Sequence, residues 1–183
     1  DLAAMAEVKA KLEAAQTTLA GYAESVQEAM AEKLAALQAA AAELAATAEA
    51  SYQAGTSVQD AAALKAGIEA LTAEIELFVA EAAAAQQAYE AGVANEAQHT
   101  EDLAAIAAVQ AELDAAMKVI DGYSEAVQDA VAETEAAVQV SIDALKAQAE
   151  ASYQAGTSVQ DKEDLQAAMA AVKIQIANLA LEA

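Results

Sequence analysis

Along the first part of the chain the larger apolar side chains recur at steps of three and four: Leu2, Met5, Val8, Leu12, Leu19, Tyr22, Val26, Met30, Leu37 and Leu44, with Ala15, Ala41 and Ala48 filling gaps. The mean step lies between about 3.5 and 3.6, the period of a helix that buries one stripe against a partner. Leu103, Ile106, Val109, Leu113, Ile120, Tyr123, Val127, Val131, Val138, Ile142 and Leu145 repeat that pattern. A further seam runs Val58, Leu64, Ile68, Leu71, Ile75, Phe78, and its counterpart runs Val159, Leu165, Met169, Val172, Ile176, Leu179. The period is helical throughout, so the expected class is all-α, an elongated antiparallel helical bundle or coiled coil.

The two sets of seams are related by a fixed offset. Residues 48–60 and residues 149–161 both read Ala-Glu-Ala-Ser-Tyr-Gln-Ala-Gly-Thr-Ser-Val-Gln-Asp, 101 residues apart. The same offset aligns Asp1-Leu2-Ala3-Ala4 with Asp102-Leu103-Ala104-Ala105, and Gly21-Tyr22 with Gly122-Tyr123. About half of the aligned positions are identical, which marks an internal repeat. We read residues 1–101 as one copy and 102–183 as a second, truncated one. Seam positions stay apolar between the copies, while outward positions drift, as at Ala61 and Lys162 or Ala63 and Asp164.

Turns are expected where glycine and capping residues coincide. Gly55 suits the left-handed position that ends a helix. Thr56 or Ser57 is placed to cap the next helix, with Gln59 or Asp60 three residues on completing a capping box. Gly156, Ser158 and Asp161 repeat the arrangement. A second break is predicted at residues 89–95, with Gly92 stopping one helix and Asn95 capping the next. Gly21-Tyr22 and Gly122-Tyr123 form a weaker third candidate, because the Ser25 and Glu28 cap has Ala126 at the matching position and Gly21 is tolerable within a continuous helix. Gly67, matched by Ala168, reads as an ordinary mid-helix residue.

These glycines divide each unit into three similar segments. That spacing resembles the plan of spectrin-like three-helix repeats, in which one helix runs on between units, although the chain has no tryptophan of the spectrin type. The rival arrangement is two long hairpins forming one four-helix bundle.

Composition changes the picture in three ways. Hydrophobic residues make up 57% of the chain but aromatic ones only 3%, so the helices must pack closely around thin, Ala-filled seams. The chain has no Pro or Cys, which fits long helices and removes disulfides, thiolate chemistry and Cys-ligated metals. The formal net charge is −22. That balance argues against a nucleic-acid partner and against an anionic membrane surface, while leaving room for weak, unspecific divalent cations. No apolar stretch reaches the ~18 residues of a membrane span. The chain starts at Asp1 without a visible signal peptide, so we expect a processed chain or part of a longer one.

Chemistry is sparse. The single histidine, His99, is expected on the surface beside the predicted 89–95 break. Acidic residues are expected along polar faces, with no Glu-x-x-His pairs for a di-metal centre, no EF-hand loop and no phosphate-binding glycine loop. No catalytic, cofactor-binding or metal residues are assigned, and no enzyme activity is expected. Tyr22, Tyr52, Tyr89, Tyr123 and Tyr153 all flank predicted breaks, which reads as rings packed over helix ends with their hydroxyls in water.

One feature exceeds what capping needs. Tyr52, Gln53, Gly55, Thr56, Ser57 and Gln59, with Tyr153, Gln154, Gly156, Thr157, Ser158 and Gln160, are unchanged between the copies. They are the candidate turn and contact residues, for self-association or for neighbouring subunits of an assembly. The expected function is a structural, non-catalytic helical repeat of a fibrous or extracellular assembly, because Ala-rich acidic helices of this kind resemble those of virion fibres and appendages. A soluble helical-bundle interaction module and an amphipathic lipid- or granule-surface protein are the alternatives.

Overall fold

A computed structural model describes residues 2–183, and among them it contains five α-helices: α1 (Leu2–Ala20), α2 (Glu24–Gln53), α3 (Ser57–Ile120), α4 (Glu125–Ala155) and α5 (Ser158–Glu182). The described residues are all-helical apart from short turns, as the 3.6-residue period requires. The chain divides into two compact units, Asp1–Glu90 and Ala91–Ala183. The first part of α3 belongs to one unit and the rest to the other.

In the first unit the core joins Val8, Leu12 and Leu19 of α1 to Met30 and Leu37 of α2 and to Leu71, Ile75 and Phe78 of α3. The second unit assembles Val109, Leu113 and Ile120 of α3 with Val131, Val138 and Ile142 of α4 and Leu165, Val172 and Leu179 of α5. Among the described residues the buried members of both cores are aliphatic except Phe78, and Tyr22 packs against the first core from its edge.

The predicted break at residues 89–95 does not exist. α3 runs through it as one helix. Gly92 is exposed within that helix, and among the described residues positive φ angles occur only at Gly55 and Gly156. Asn95 is not a cap; it is buried at 7% exposure. The physical reason lies in the seam. Stepping back from Ile106 by four, four and three residues leads to Asp102, Gln98 and Asn95, and all three are buried. The inward stripe of α3 therefore continues through this stretch in polar residues. The cost of a mid-helix Gly, about 1 kcal/mol relative to Ala, is not enough to end it.

The turns at Gly21 and Gly122, ranked weaker from sequence, are real. α1 ends at Ala20 and α2 starts at Glu24, and α3 ends at Ile120 and α4 starts at Glu125. Ser25 therefore lies inside α2 and is not its cap. Gln27 closes the first of these turns, its Nε2 donating to the Tyr22 carbonyl at 2.7 Å and to that of Ala20 at 3.3 Å. Gln128 does the same at the second, donating to the carbonyls of Asp121 and Tyr123 at 3.0 and 3.1 Å. These glutamines satisfy helix-end carbonyls that would otherwise lack partners. The backbone N–H of Ala23 donates to Gln86 Oε1 on α3 at 2.9 Å.

Four seam assignments also change. Val58, Val159, Leu103 and Tyr123 are exposed at 88%, 48%, 43% and 47%. A full heptad back from Leu64 is Ser57, and a full heptad back from Leu165 is Ser158, so the serines hold the seam positions and the valines beside them face out. Likewise Asp102, not Leu103, continues the seam of Ile106 and Val109. Leu2 and Asp1, which belong to the predicted first seam and to the Asp1 match, lie outside the described side chains.

The two units differ in side-chain bulk at one matched position of the α1–α2 and α3–α4 pairs. In the first unit a groove of ≈ 590 Å³ lies between α1 and α2, lined by residues that include Met5, Leu12, Gln38, Ala41 and Ala45. The residue 101 positions after Ala41 is Ile142, which is 0% exposed. We expect Ala41→Ile to fill part of the groove and stabilise the first unit by about 0.5–2 kcal/mol in urea unfolding. A destabilised variant would mean that the groove cannot accept a branched side chain.

Candidate interaction surface at the two identical turns

The unchanged thirteen-residue stretches form the α2–α3 and α4–α5 turns. Both use the same backbone device. Gly55 and Gly156 sit at φ 73° and 74°, where a side chain would be strained and Gly is not. The Thr56 N–H donates to the Ser51 carbonyl at 2.9 Å and the Gly55 N–H to that of Tyr52 at 3.1 Å; the Thr157 and Gly156 bonds to Ser152 and Tyr153 are 2.8 and 3.0 Å. This paired closure satisfies the orphan carbonyls at the helix end.

The capping box expected at these turns is replaced by a different contact. Thr157 makes no side-chain bond to the backbone N–H groups of α5. Instead the Thr56 and Ser51 hydroxyls both donate to Asp60 Oδ2 at 2.6 Å. The Thr157 and Ser152 hydroxyls donate to Asp161 Oδ2 at 2.5 and 2.7 Å. Each aspartate thus ties the end of one helix to the start of the next, which explains why Ser51, Thr56 and Asp60 recur together.

These hydroxyls set the aspartates' acidity. Donation first from Ser51 and then from Thr56 holds Asp60 below the ordinary carboxylate range, against a smaller opposing effect of burial. At Asp161 the order is Thr157, then Ser152. A carboxylate whose folded pKa is depressed contributes stability above its unfolded value and loses it as pH falls through the folded pKa. We expect Asp60→Asn with Asp161→Asn to flatten this acid limb: the stability gap between wild type and variant should be full at neutral pH and shrink towards pH ~3 and below. Urea midpoints across that range measure it; a gap that does not change with pH would contradict the assignment.

The remaining unchanged residues divide. Gln53 and Gln154 are exposed and donate to Glu49 and Glu150 one helical turn earlier, at 2.8 and 2.7 Å. Gln59 and Gln160 are exposed, and nothing in the structure explains their identity. Tyr153 is partly buried, and Tyr52 is 72% exposed. Of the other tyrosines, Tyr89 lies within α3 instead of beside a break, and Tyr89 and Tyr123 are 46% and 47% exposed.

The second turn rests on residues that sequence reading misjudged. Asn95 Oδ1 accepts the Ser158 N–H at 2.8 Å and Asn95 Nδ2 donates to the Tyr153 carbonyl at 3.1 Å. One side chain therefore serves both the start of α5 and the end of α4. His99, expected at the surface, is only 12% exposed in its side chain, and its Nε2 lies 3.6 Å from a Glu150 carboxylate oxygen. Its ring stacks on Tyr153 with centroids 4.3 Å apart and 16° between the planes. Gln98 donates to Asp102 at 2.8 Å in the same buried stretch. Their spacing of three and four residues, in register with Ile106, was the available signal.

Removing the Asn95 amide would leave the buried Ser158 N–H without an acceptor. We expect Asn95→Ala to cost about 1–3 kcal/mol in urea unfolding. A loss near zero would show that the turn holds without it.

Among the described residues no cluster of three or more His, Asp or Glu side chains is arranged to hold a metal ion, and no helix is long and apolar enough to cross a membrane. The buried His99 Nδ1 and Ser158 Oγ make no hydrogen bond, so the histidine and the serine are not joined as a base and nucleophile. The interhelix ion pairs, such as Lys11 with Glu76 and Lys173 with Glu112, are exposed, and pairs of that kind contribute little to stability. No protein-family model, no curated protein and no solved structure matches the chain.

Proposed function

We propose that the chain is a structural, non-catalytic segment built from two tandem copies of a three-helix unit, serving in a fibrous or extracellular assembly such as a virion fibre or appendage, or a cell-surface stalk. The observation that carries this reading is the recurrence of one architectural plan at a fixed spacing. Glu24 and Glu125 start α2 and α4, and Ser57 and Ser158 start α3 and α5, each pair 101 residues apart. Buried positions keep the same spacing, as with Val8 and Val109, Leu12 and Leu113, Leu64 and Leu165, and Phe78 and Leu179. So do the Gln27 and Gln128 turn closures.

Two separate cores, each drawing on three helical segments, support the three-helix unit over a single four-helix bundle. Recurrence of a small helical unit along one chain is the plan of repeat proteins. The dispersed carboxylates and the unlinked His99 and Ser158 support a role without catalysis. The charge of −22 supports a well-solvated protein outside nucleic-acid and anionic-lipid contexts.

Sedimentation velocity over a wide concentration range tests the assembly role. The reading predicts reversible self-association that strengthens as salt screens the acidic charge. A strict monomer at every concentration and salt level would favour an interaction module that works alone.

A further inference from the structure

The two turns of identical sequence share the same left-handed glycine and closing hydrogen bonds but have different surroundings. In the second unit the turn is covered by the α3 stretch that carries Asn95 and His99. Asn95 joins the Ser158 N–H to the Tyr153 carbonyl, His99 stacks on the Tyr153 ring, and Ser158 is 1% exposed. In the first unit Tyr52 is 72% exposed and Val58 88% exposed, and Ser57 is only half-buried. The same thirteen residues thus appear once with an occupant and once without.

The occupied turn specifies what the open one fits. Asn95 and His99 stand seven and three residues before Asp102, the residue in register with Asp1. A helix that continued α1 backwards in the same register would bring an asparagine to the Ser57 N–H and the Tyr52 carbonyl, and a histidine to the Tyr52 ring. The Ser57 N–H belongs to the first turn of α3, where backbone donors lack intrahelical acceptors. Tyr52 presents a wide ring face suited to stacking. Glu49 holds the position that Glu150 holds beside His99, so the carboxylate neighbour of the histidine is also in place.

We propose that the turn at residues 48–60 is a docking surface for a helix that leads into α1 and carries an asparagine and, four residues later, a histidine, as residues 91–101 do for the second turn. The occupant is thus a further helical segment of the same repeat type. The inference goes beyond the assembly role, since it rests on the two identical stretches and holds whether or not the chain forms filaments.

The test adds a copy of residues 91–101 directly ahead of Asp1, which reproduces the 101-residue register. Amide hydrogen exchange at Ser57 and the ring-proton chemical shifts of Tyr52 are read by NMR in the full chain with and without the extension. The expected result is a slowing of Ser57 exchange by roughly tenfold or more, as for an amide that gains a buried acceptor. A ring-current shift at Tyr52 matching the one at Tyr153 should accompany it. A second extension with alanine in place of its asparagine and histidine should restore fast exchange. Unchanged Ser57 exchange in the extended chain, or equal slowing with the alanine version, overturns the proposal. So does concentration-dependent protection of Ser57 in the unextended chain, which would assign the surface to a second copy.

Discussion

Leu165→Ala should cost about 2–5 kcal/mol, the range for a buried leucine whose cavity cannot close. Leu165 is 2% exposed and lies in the core that joins α3, α4 and α5. That core is built from slender aliphatic groups, with Ala149 among its fully buried members. The same change at Leu64, 3% exposed, should fall in the same range. Val159→Ala provides the contrast. That side chain is 48% exposed, so the change should stay within about 0.5 kcal/mol. Urea unfolding measures all three. Similar costs at Leu165 and Val159 would contradict the heptad that assigns Ser158, not Val159, to the seam.

Gly92→Pro should cost about 3 kcal/mol or more and lower the helical signal in circular dichroism. Proline removes an i→i−4 hydrogen bond, and its ring clashes with the carbonyl four residues back. Gly92 is inside α3, far from either end of Ser57–Ile120. At a true helix end the same substitution would be mild, because proline commonly follows a helix stop. Gly92→Ala should act in the opposite direction and stabilise by about 0.5–1 kcal/mol. A Cβ added there meets nothing within 4 Å. A tolerated proline would restore the sequence-based break and remove the helix that serves both units.

These predictions mark where the sequence was legible. The periodic apolar residues placed Val8, Leu12, Leu19, Leu71 and Ile75 in the core because burial is what the 3.6-residue stripe encodes. Gly55 and Gly156 were legible because a left-handed residue after a long helix leaves few alternatives to glycine. The failures along the seam share one cause. Where the inward stripe passes into Asn95, Gln98 and Asp102, or into Ser57 and Ser158, hydrophobicity no longer reports which face is buried. Polar inward residues beside Gly92 imitate a helix end, and Val58 and Val159 imitate a seam. What decides those positions is partner chemistry across the fold: the Asn95 amide meets a helix start and a helix end, and Gln98 meets Asp102.

The candidate surface was legible as an unchanged stretch but not as a contact. Asp60 and Asp161 looked like members of capping boxes, yet their partners are the serine and threonine hydroxyls across the turn. The residues that cover the second turn lie more than fifty positions away, Asn95 expected as a cap at the end of the 89–95 break and His99 on the surface beside it. The tyrosine, unexplained by capping, has in its second copy a specific neighbour in His99.

Continuity of α3 through residues 91–98 is the central claim, because it places Asn95 and His99 on the second turn and gives each unit its third helical segment. Native-state amide hydrogen exchange tests it most directly. The account predicts that the amides of Val93, Ala94, Asn95 and Glu96 are protected to the same degree as those flanking them in α3. Rapid exchange confined to these amides, with protection on both sides, would contradict it.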